Sequence, residues 1–146
     1  MVKERKWRLT LTESQLRLIA QCVEDCSRFA SGQTELGNTI GWLRNSASAR
    51  DVLRTVKPIV APELELNASY GWNGGSCPRR LQRGFIAKTY YIYREILHRI
   101  TEERHKEEDM SWNVYLGETL RCVDSGEPIK LEVINATPRQ MNNAFD

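Results

Sequence analysis

The stretch Asn-Ala-Ser-Tyr-Gly-Trp-Asn-Gly-Gly-Ser-Cys, from Asn67 to Cys77, sets glycines around one large aromatic, Trp72, and leads through Pro78 to Arg79, Arg80 and Arg83. Glycine supplies backbone angles closed to other residues, and Pro78 suits the first position of a helix. Unpaired amides at a helix start attract anions, and guanidinium groups grip phosphate or carboxylate with two bonds at once. At about 100° per residue, Arg80, Arg83, Ala87, Tyr91, Arg94 and His98 fall on one stripe of the helix that follows. Trp72, Arg79 and this stripe are therefore the expected partner surface, because a solvent-side tryptophan beside arginines has the composition of an interface hot spot.

Cys77 is a second chemical candidate. A thiol just ahead of a helix start and beside arginines should have its thiolate stabilised, which would make it a nucleophile. The spacing from Cys77 to Arg83 is similar to the C-x5-R spacing of protein tyrosine phosphatases, in which loop amides and the arginine hold the phosphoryl group while the cysteine attacks. That family carries its loop after a buried strand, whereas here Pro78 begins a helix, so the reading leans against an enzyme. The loop also lacks the glycine spacings of the nucleotide cradles.

Other chemistry is thin. Cys22 and Cys26 lie one turn apart, and His98 and His105 two turns apart, but a structural zinc site shows two compact ligand pairs and this chain shows none. Core thiols are the expectation for the cysteines, with no metal and no cofactor. Neighbouring carboxylates such as Glu102 and Glu103 sit together on a solvated helix end rather than across a cleft. Tyr93 and Tyr90 turn toward the apolar arc of the helix and only Tyr91 toward the polar stripe, which favours packing over base stacking.

The elements that must position these residues follow from periodicity. Trp7, Leu9 and Leu11 alternate with polar residues as a strand does. Thr12 and Gln15 form a capping box, Leu11 can staple to Leu16, and the helix so begun carries Leu16, Ile19, Ala20, Val23, Cys26 and Ala30 on one side before Gly32 stops it. From Thr34 the apolar phase shifts, which predicts two helical pieces broken near Asn45 to Ser48, with Ser48 as the second cap and Pro58 and Pro62 as the end. A long central helix is expected from about Pro78 to Lys106. After it Leu120 and Cys122, then Ile129, Leu131 and Val133, alternate around a turn and predict a hairpin. The expected fold is α+β and mainly helical: three to four helices, including the long one at about 78–106, packed on a short antiparallel sheet of the N-terminal strand and the C-terminal hairpin. Residues 1–146 read as a single domain.

Composition agrees with a globular domain: 146 residues, 27% charged and 40% hydrophobic. No stretch approaches the roughly 20 apolar residues of a membrane helix, so no membrane partner and a cytoplasmic setting with reduced cysteines are expected. The net charge of +2 is too small to draw nucleic acid to the whole molecule. The charge is nonetheless polarised, with 10 basic and 6 acidic residues over 1–60, 6 and 3 over 61–100, and 5 and 10 over 101–146.

The segment from Tyr70 to Arg99, with Tyr-Gly-Trp-Asn-Gly-Gly-Ser-Cys-Pro, Gln82-Arg83 and Ala87-Lys88-Thr89-Tyr90-Tyr91-Ile92-Tyr93-Arg94-Glu95-Ile96, resembles a family of small bacterial proteins associated with mobile or accessory genes. The likeness extends to Leu11–Glu35. It implies no activity, fold or ligand. The expected function is a small, non-enzymatic interaction module that binds a protein partner or a second copy of itself as a homodimer. Nucleic-acid or phosphate-ligand binding by the arginine face is the alternative, and a thiol enzyme using Cys77 the third reading.

Overall fold

The computed structural model describes residues 3–108 and 111–135. Helix α1 spans Glu13–Ala30, and its start is the capping box read from the sequence: Thr12 Oγ1 accepts from the Gln15 amide at 3.1 Å, and Gln15 Oε1 accepts from the Thr12 amide at 3.0 Å. Its end is Gly32, at φ +103°, where the Gln33 amide turns back to the Arg28 carbonyl at 2.8 Å. Helix α5, Arg80–Glu107, is the long one. It runs antiparallel to α1: Ser27 Oγ donates to the Ile86 carbonyl near one end, and Arg104 meets Glu13 near the other.

The seam between these two helices is the main core. Ala20 meets Tyr93, Ile96, Leu97 and Ile100, with Leu16 and Val23 packed at the margin. Small Ala20 lets the backbones approach, and the larger residues of α5 fill the space around it. A second cluster, Ala61, Tyr70, Cys77 and Ile86, lies under the glycine loop.

Between the long helices the chain makes three short ones: α2, Gly41–Arg44; α3, Ala47–Arg54; and α4, Lys57–Val60. The break near Asn45 is present, but the cap is Ser46, whose Oγ accepts from the Ala49 amide at 3.1 Å, and not Ser48. The helix expected from Thr34 is replaced by a loop. Buried Asp25 holds that loop by accepting the amides of Asn38 at 3.1 Å and Thr39 at 2.7 Å, bonds a continuous helix would have kept for itself. Lys57 is also buried, and its ammonium donates to the carbonyls of Leu66 and Ala68, the latter at 2.6 Å.

The sheet expected from alternation is not there: the described residues contain no strand, so the fold is helical and not α+β. The cause is visible in the C-terminal segment. Its backbone groups bond to side chains of α5 instead of to a neighbouring strand. Tyr91 OH accepts from the Ile129 amide at 3.0 Å, the Tyr115 carbonyl meets His98 Nδ1 at 2.7 Å, and Arg99 Nε donates to the Leu131 carbonyl at 3.4 Å. The turn between the expected hairpin strands is a 3-10 turn, Val123–Ser125, closed by Ser125 Oγ on the Cys122 amide at 3.0 Å. The N-terminal segment forms no strand: Trp7 is 87% and Leu9 74% exposed, and Lys6 meets Glu127 of the C-terminal segment in an exposed ion pair at 3.2 Å.

One polar cluster fastens three elements together. Arg79 gives Nη1 to Glu63 Oε1 at 2.6 Å, Nη2 to Tyr70 OH at 2.7 Å and Nε to Gln82 Oε1 at 2.6 Å. Gln82 Nε2 in turn donates to the carbonyls of Ala30 and Val60, both at 2.8 Å, which ties the ends of α1 and α4 to the start of α5. The Arg79 guanidinium, and then the Tyr70 hydroxyl, lower the Glu63 carboxyl from 4.5 to about 2. A depressed carboxyl stabilises the fold fully above its unfolded value and loses that contribution as pH falls through the folded one. Acid unfolding should therefore include a component between pH 4.5 and about 2 that is absent from Glu63→Gln, measured as the urea midpoint of each protein across that range.

Candidate functional site

The partner surface expected from the sequence is taken apart by the structure. Arg79 is consumed by Glu63, Tyr70 and Gln82. Arg83 Nη1 donates to the Cys77 carbonyl at 2.8 Å and so closes the glycine loop from below. Ala87 and Tyr91 are fully buried, and the C-terminal segment covers their face of α5. Arg121 stacks on the Tyr91 ring at 4.9 Å. His98 is held by the Tyr115 carbonyl and lies 3.5 Å from Glu102. Arg80 is exposed at the helix start. Ala87, Tyr91 and His98 of the stripe are therefore an inner face that orders the C-terminal segment, while Arg80 stays exposed and Arg94 lies at the edge of that face.

Cys77 does not sit in a nucleophile's position. It is 2% exposed, and Sγ points back to the Arg79 carbonyl at 3.7 Å. Helix α5 begins at Arg80, with Arg79 in extended geometry as its cap, so Pro78 stands ahead of the helix and not in its first turn. The burial of Cys77 fits the core thiol expected for the cysteines, and Cys122 is half-buried. Cys22 and Cys26 are exposed on α1 rather than in the core, and all four thiols are free. Among the described residues no group of three or more His, Cys, Asp or Glu could hold a metal.

What the fold does assemble lies on the two flanks of the α1–α5 pair. Antiparallel helices turn matching sides outward, and at about 100° per residue the residues beside the seam divide cleanly. One flank is polar and aromatic. Arg17, Gln21, Glu24 and Arg28 of α1 face it, with Tyr90 and Arg94 of α5. Trp72, half-buried, leans over it from the glycine loop and meets Tyr90 with ring centroids 5.4 Å apart; Tyr90 meets Tyr93 edge-on at 5.5 Å. Residues Ser31, Gln33, Trp72, Tyr90, Tyr93 and Arg94 line a groove of about 260 Å³ there.

The opposite flank is apolar and open. By the helical wheel Ile19, Cys22 and Cys26 of α1 and Leu81, Phe85 and Ile92 of α5 turn to it, with Ile19 41%, Phe85 47% and Leu81 91% exposed and Ile92 partly buried against the α1–α5 core. The sequence offered the signal for this surface. Ile19 and Cys26 were assigned to the same arc as Ala20, yet a helix with a single neighbour buries only the middle of so wide an arc.

Among the described residues no helix is long and apolar enough to cross a membrane. Comparison with protein-family models, with curated proteins and with solved structures finds no match, so residues and geometry carry the functional reading.

Proposed function

We propose that the protein is a small, non-enzymatic interaction module of the cytoplasm that associates with a second copy of itself through the apolar flank of α1 and α5. One observation carries the reading: the two longest helices pack along a single seam, and Ile19, Cys22 and Cys26 of α1 and Leu81 and Phe85 of α5, which the helical wheel turns to the same flank, are all exposed. A contiguous apolar patch on a small globular chain marks an interface.

A second copy is the occupant that the pattern suits. Counting about 1.5 Å per residue from the level where Ser27 meets Ile86, Ile19 and Ile92 lie toward one end of the strip and Leu81 and Phe85 toward the other. A two-fold axis through the middle then sets Ile19 of one protomer against Leu81 and Phe85 of its partner, the self-complementary arrangement of a symmetric dimer. Four free thiols support a reducing compartment.

Sedimentation equilibrium tests it. Wild type should be dimeric at micromolar concentration, and Phe85→Glu, which brings a charge into the contact between the two copies, should weaken the dimer by about 100-fold or more. An unmoved equilibrium in Phe85→Glu, or a monomeric wild type, refutes the reading. A generic oligonucleotide added to the same cell is expected to leave the protein's equilibrium gradient unchanged, since Arg79 and Arg83 are committed within the fold.

A further inference from the structure

The groove on the polar flank holds two groups whose bonding is incomplete. Tyr93 is 6% exposed, yet its hydroxyl has no hydrogen-bond partner among the described residues and is not sealed from solvent, so it opens into the groove it lines. A hydroxyl that water reaches and that no group of the chain uses is free to donate to a ligand that displaces the water. Burial, helped by nearby Glu24, pushes the Tyr93 phenol up to about 12, so at neutral pH it is a donor.

Arg94 is the other group. Its guanidinium sits 4.8 Å over the Tyr115 ring and 5.8 Å over the Tyr90 ring, and its hydrogen bond within the chain is a long one, 3.4 Å, to the Val114 carbonyl. No carboxylate among the described residues pairs with it. The contrast with Arg28, across the same groove, is direct: Arg28 is met by Glu24 at 3.0 Å and by Gln33 at 2.9 Å. The negative charge of Glu24 is thereby answered, while the positive charge of Arg94 is left for a ligand. Two aromatic faces hold the Arg94 fork in place without using its donors, which is a preorganised way to present a guanidinium to an acid.

We propose that this groove binds a small anion bearing one flat ring, with the acidic group on Arg94, the ring against Trp72 and Tyr90, and the Tyr93 hydroxyl donating to the ligand. A phosphate or a carboxylate satisfies the same guanidinium, and the tilted Trp72–Tyr90 pair offers apolar faces for one ring. The site lies on the flank opposite the proposed dimer contact, so it stands or falls separately from self-association.

Titration calorimetry tests it with adenosine and uridine 5′-monophosphates, with 4-hydroxybenzoate and indole-3-acetate, and with inorganic phosphate and adenosine as half-ligands. At least one ring-bearing anion should bind about tenfold tighter than either half-ligand, and the better of the nucleotide and carboxylate arms identifies the acid. Tyr93→Phe should weaken that binding about fivefold or more and Arg94→Gln about tenfold or more, while Lys88→Gln, on the far side of α5, should not change it. Tyr93→Phe removes one hydroxyl and keeps the packing, so it carries the test even where Arg94→Gln disturbs the Tyr115 contact. Absence of binding by every ring-bearing anion at about 5 mM overturns the proposal, since a millimolar Kd is worth little above background. Equal binding by wild type and Tyr93→Phe, or phosphate alone binding as well as the ring-bearing anions, overturns it too.

Discussion

Gly74→Ala should lower the stability of the chain by about 2–5 kcal/mol, the sum of a left-handed alanine and an overpacked contact. Gly74 sits at φ +68°, and a Cβ built on it would meet the Arg83 Cα at 3.0 Å, the Arg83 carbonyl at 3.2 Å and Ile86 Cδ1 at 3.2 Å. Two of those atoms belong to the backbone of α5, which cannot move aside without lifting the helix from α1. Gly71, at φ +91° with nothing within 4 Å, separates the two causes: its alanine variant carries the strain alone, about 1–2 kcal/mol. Gly84 lies inside α5, where an added Cβ meets the Lys88 ammonium at 3.5 Å, so Gly84→Ala should stabilise by about 0.5–1 kcal/mol through helix propensity. Urea unfolding of the three variants gives the order directly. The glycines of this loop thus act by letting it lie flat on a helix, and anion binding is not needed to explain them.

Tyr91→Ala should cost about 3–5 kcal/mol, the range for deleting a large buried aromatic. The ring is 2% exposed, it carries Arg121 on its face, and its hydroxyl accepts the Ile129 amide. Losing it removes the anchor of the C-terminal segment as well as core volume. Tyr91→Phe isolates the hydrogen bond and should cost about 1 kcal/mol. The readout that distinguishes an anchor from a filler is amide exchange: in Tyr91→Ala, protection should fall first around residues 119–131, with α1 keeping its protection.

The parts of this fold that were legible in the sequence are those decided locally. The capping box at Thr12 and Gln15, the stop at Gly32 and the length of the helix ending at Glu107 depend on near neighbours, and each is found within a residue or two of its expected place. The sheet failed because alternation reports only that a segment buries every second residue. It does not say whether the backbone bonds to a strand or, as here, to Tyr91, His98 and Arg99 of a helix.

The arginine stripe failed for a related reason. A helical wheel places Arg94 and Tyr91 correctly around the axis but is blind to a segment from 20 or more residues downstream that covers them, as Val114 and Ile129 do. Of the residues singled out from the sequence, Trp72 and Arg94 come together at the groove, and Arg79, Arg83, Tyr91 and His98 serve the fold. Tyr93 was assigned to packing, and its ring does pack; only coordinates reveal that the hydroxyl is left over.

The two open thiols of α1 report on the central claim without any substitution at the interface. Cys22 and Cys26 lie on the flank that the second copy would cover, Cys77 is buried within the chain, and Cys122 is half-buried in the C-terminal segment, where it bonds to Ser125. Iodoacetamide labelling rates, read site by site by mass spectrometry across a range of protein concentrations, should fall for Cys22 and Cys26 as concentration rises and stay constant for Cys122. Rates for Cys22 and Cys26 that remain those of open thiols at every concentration would contradict a dimer through this flank.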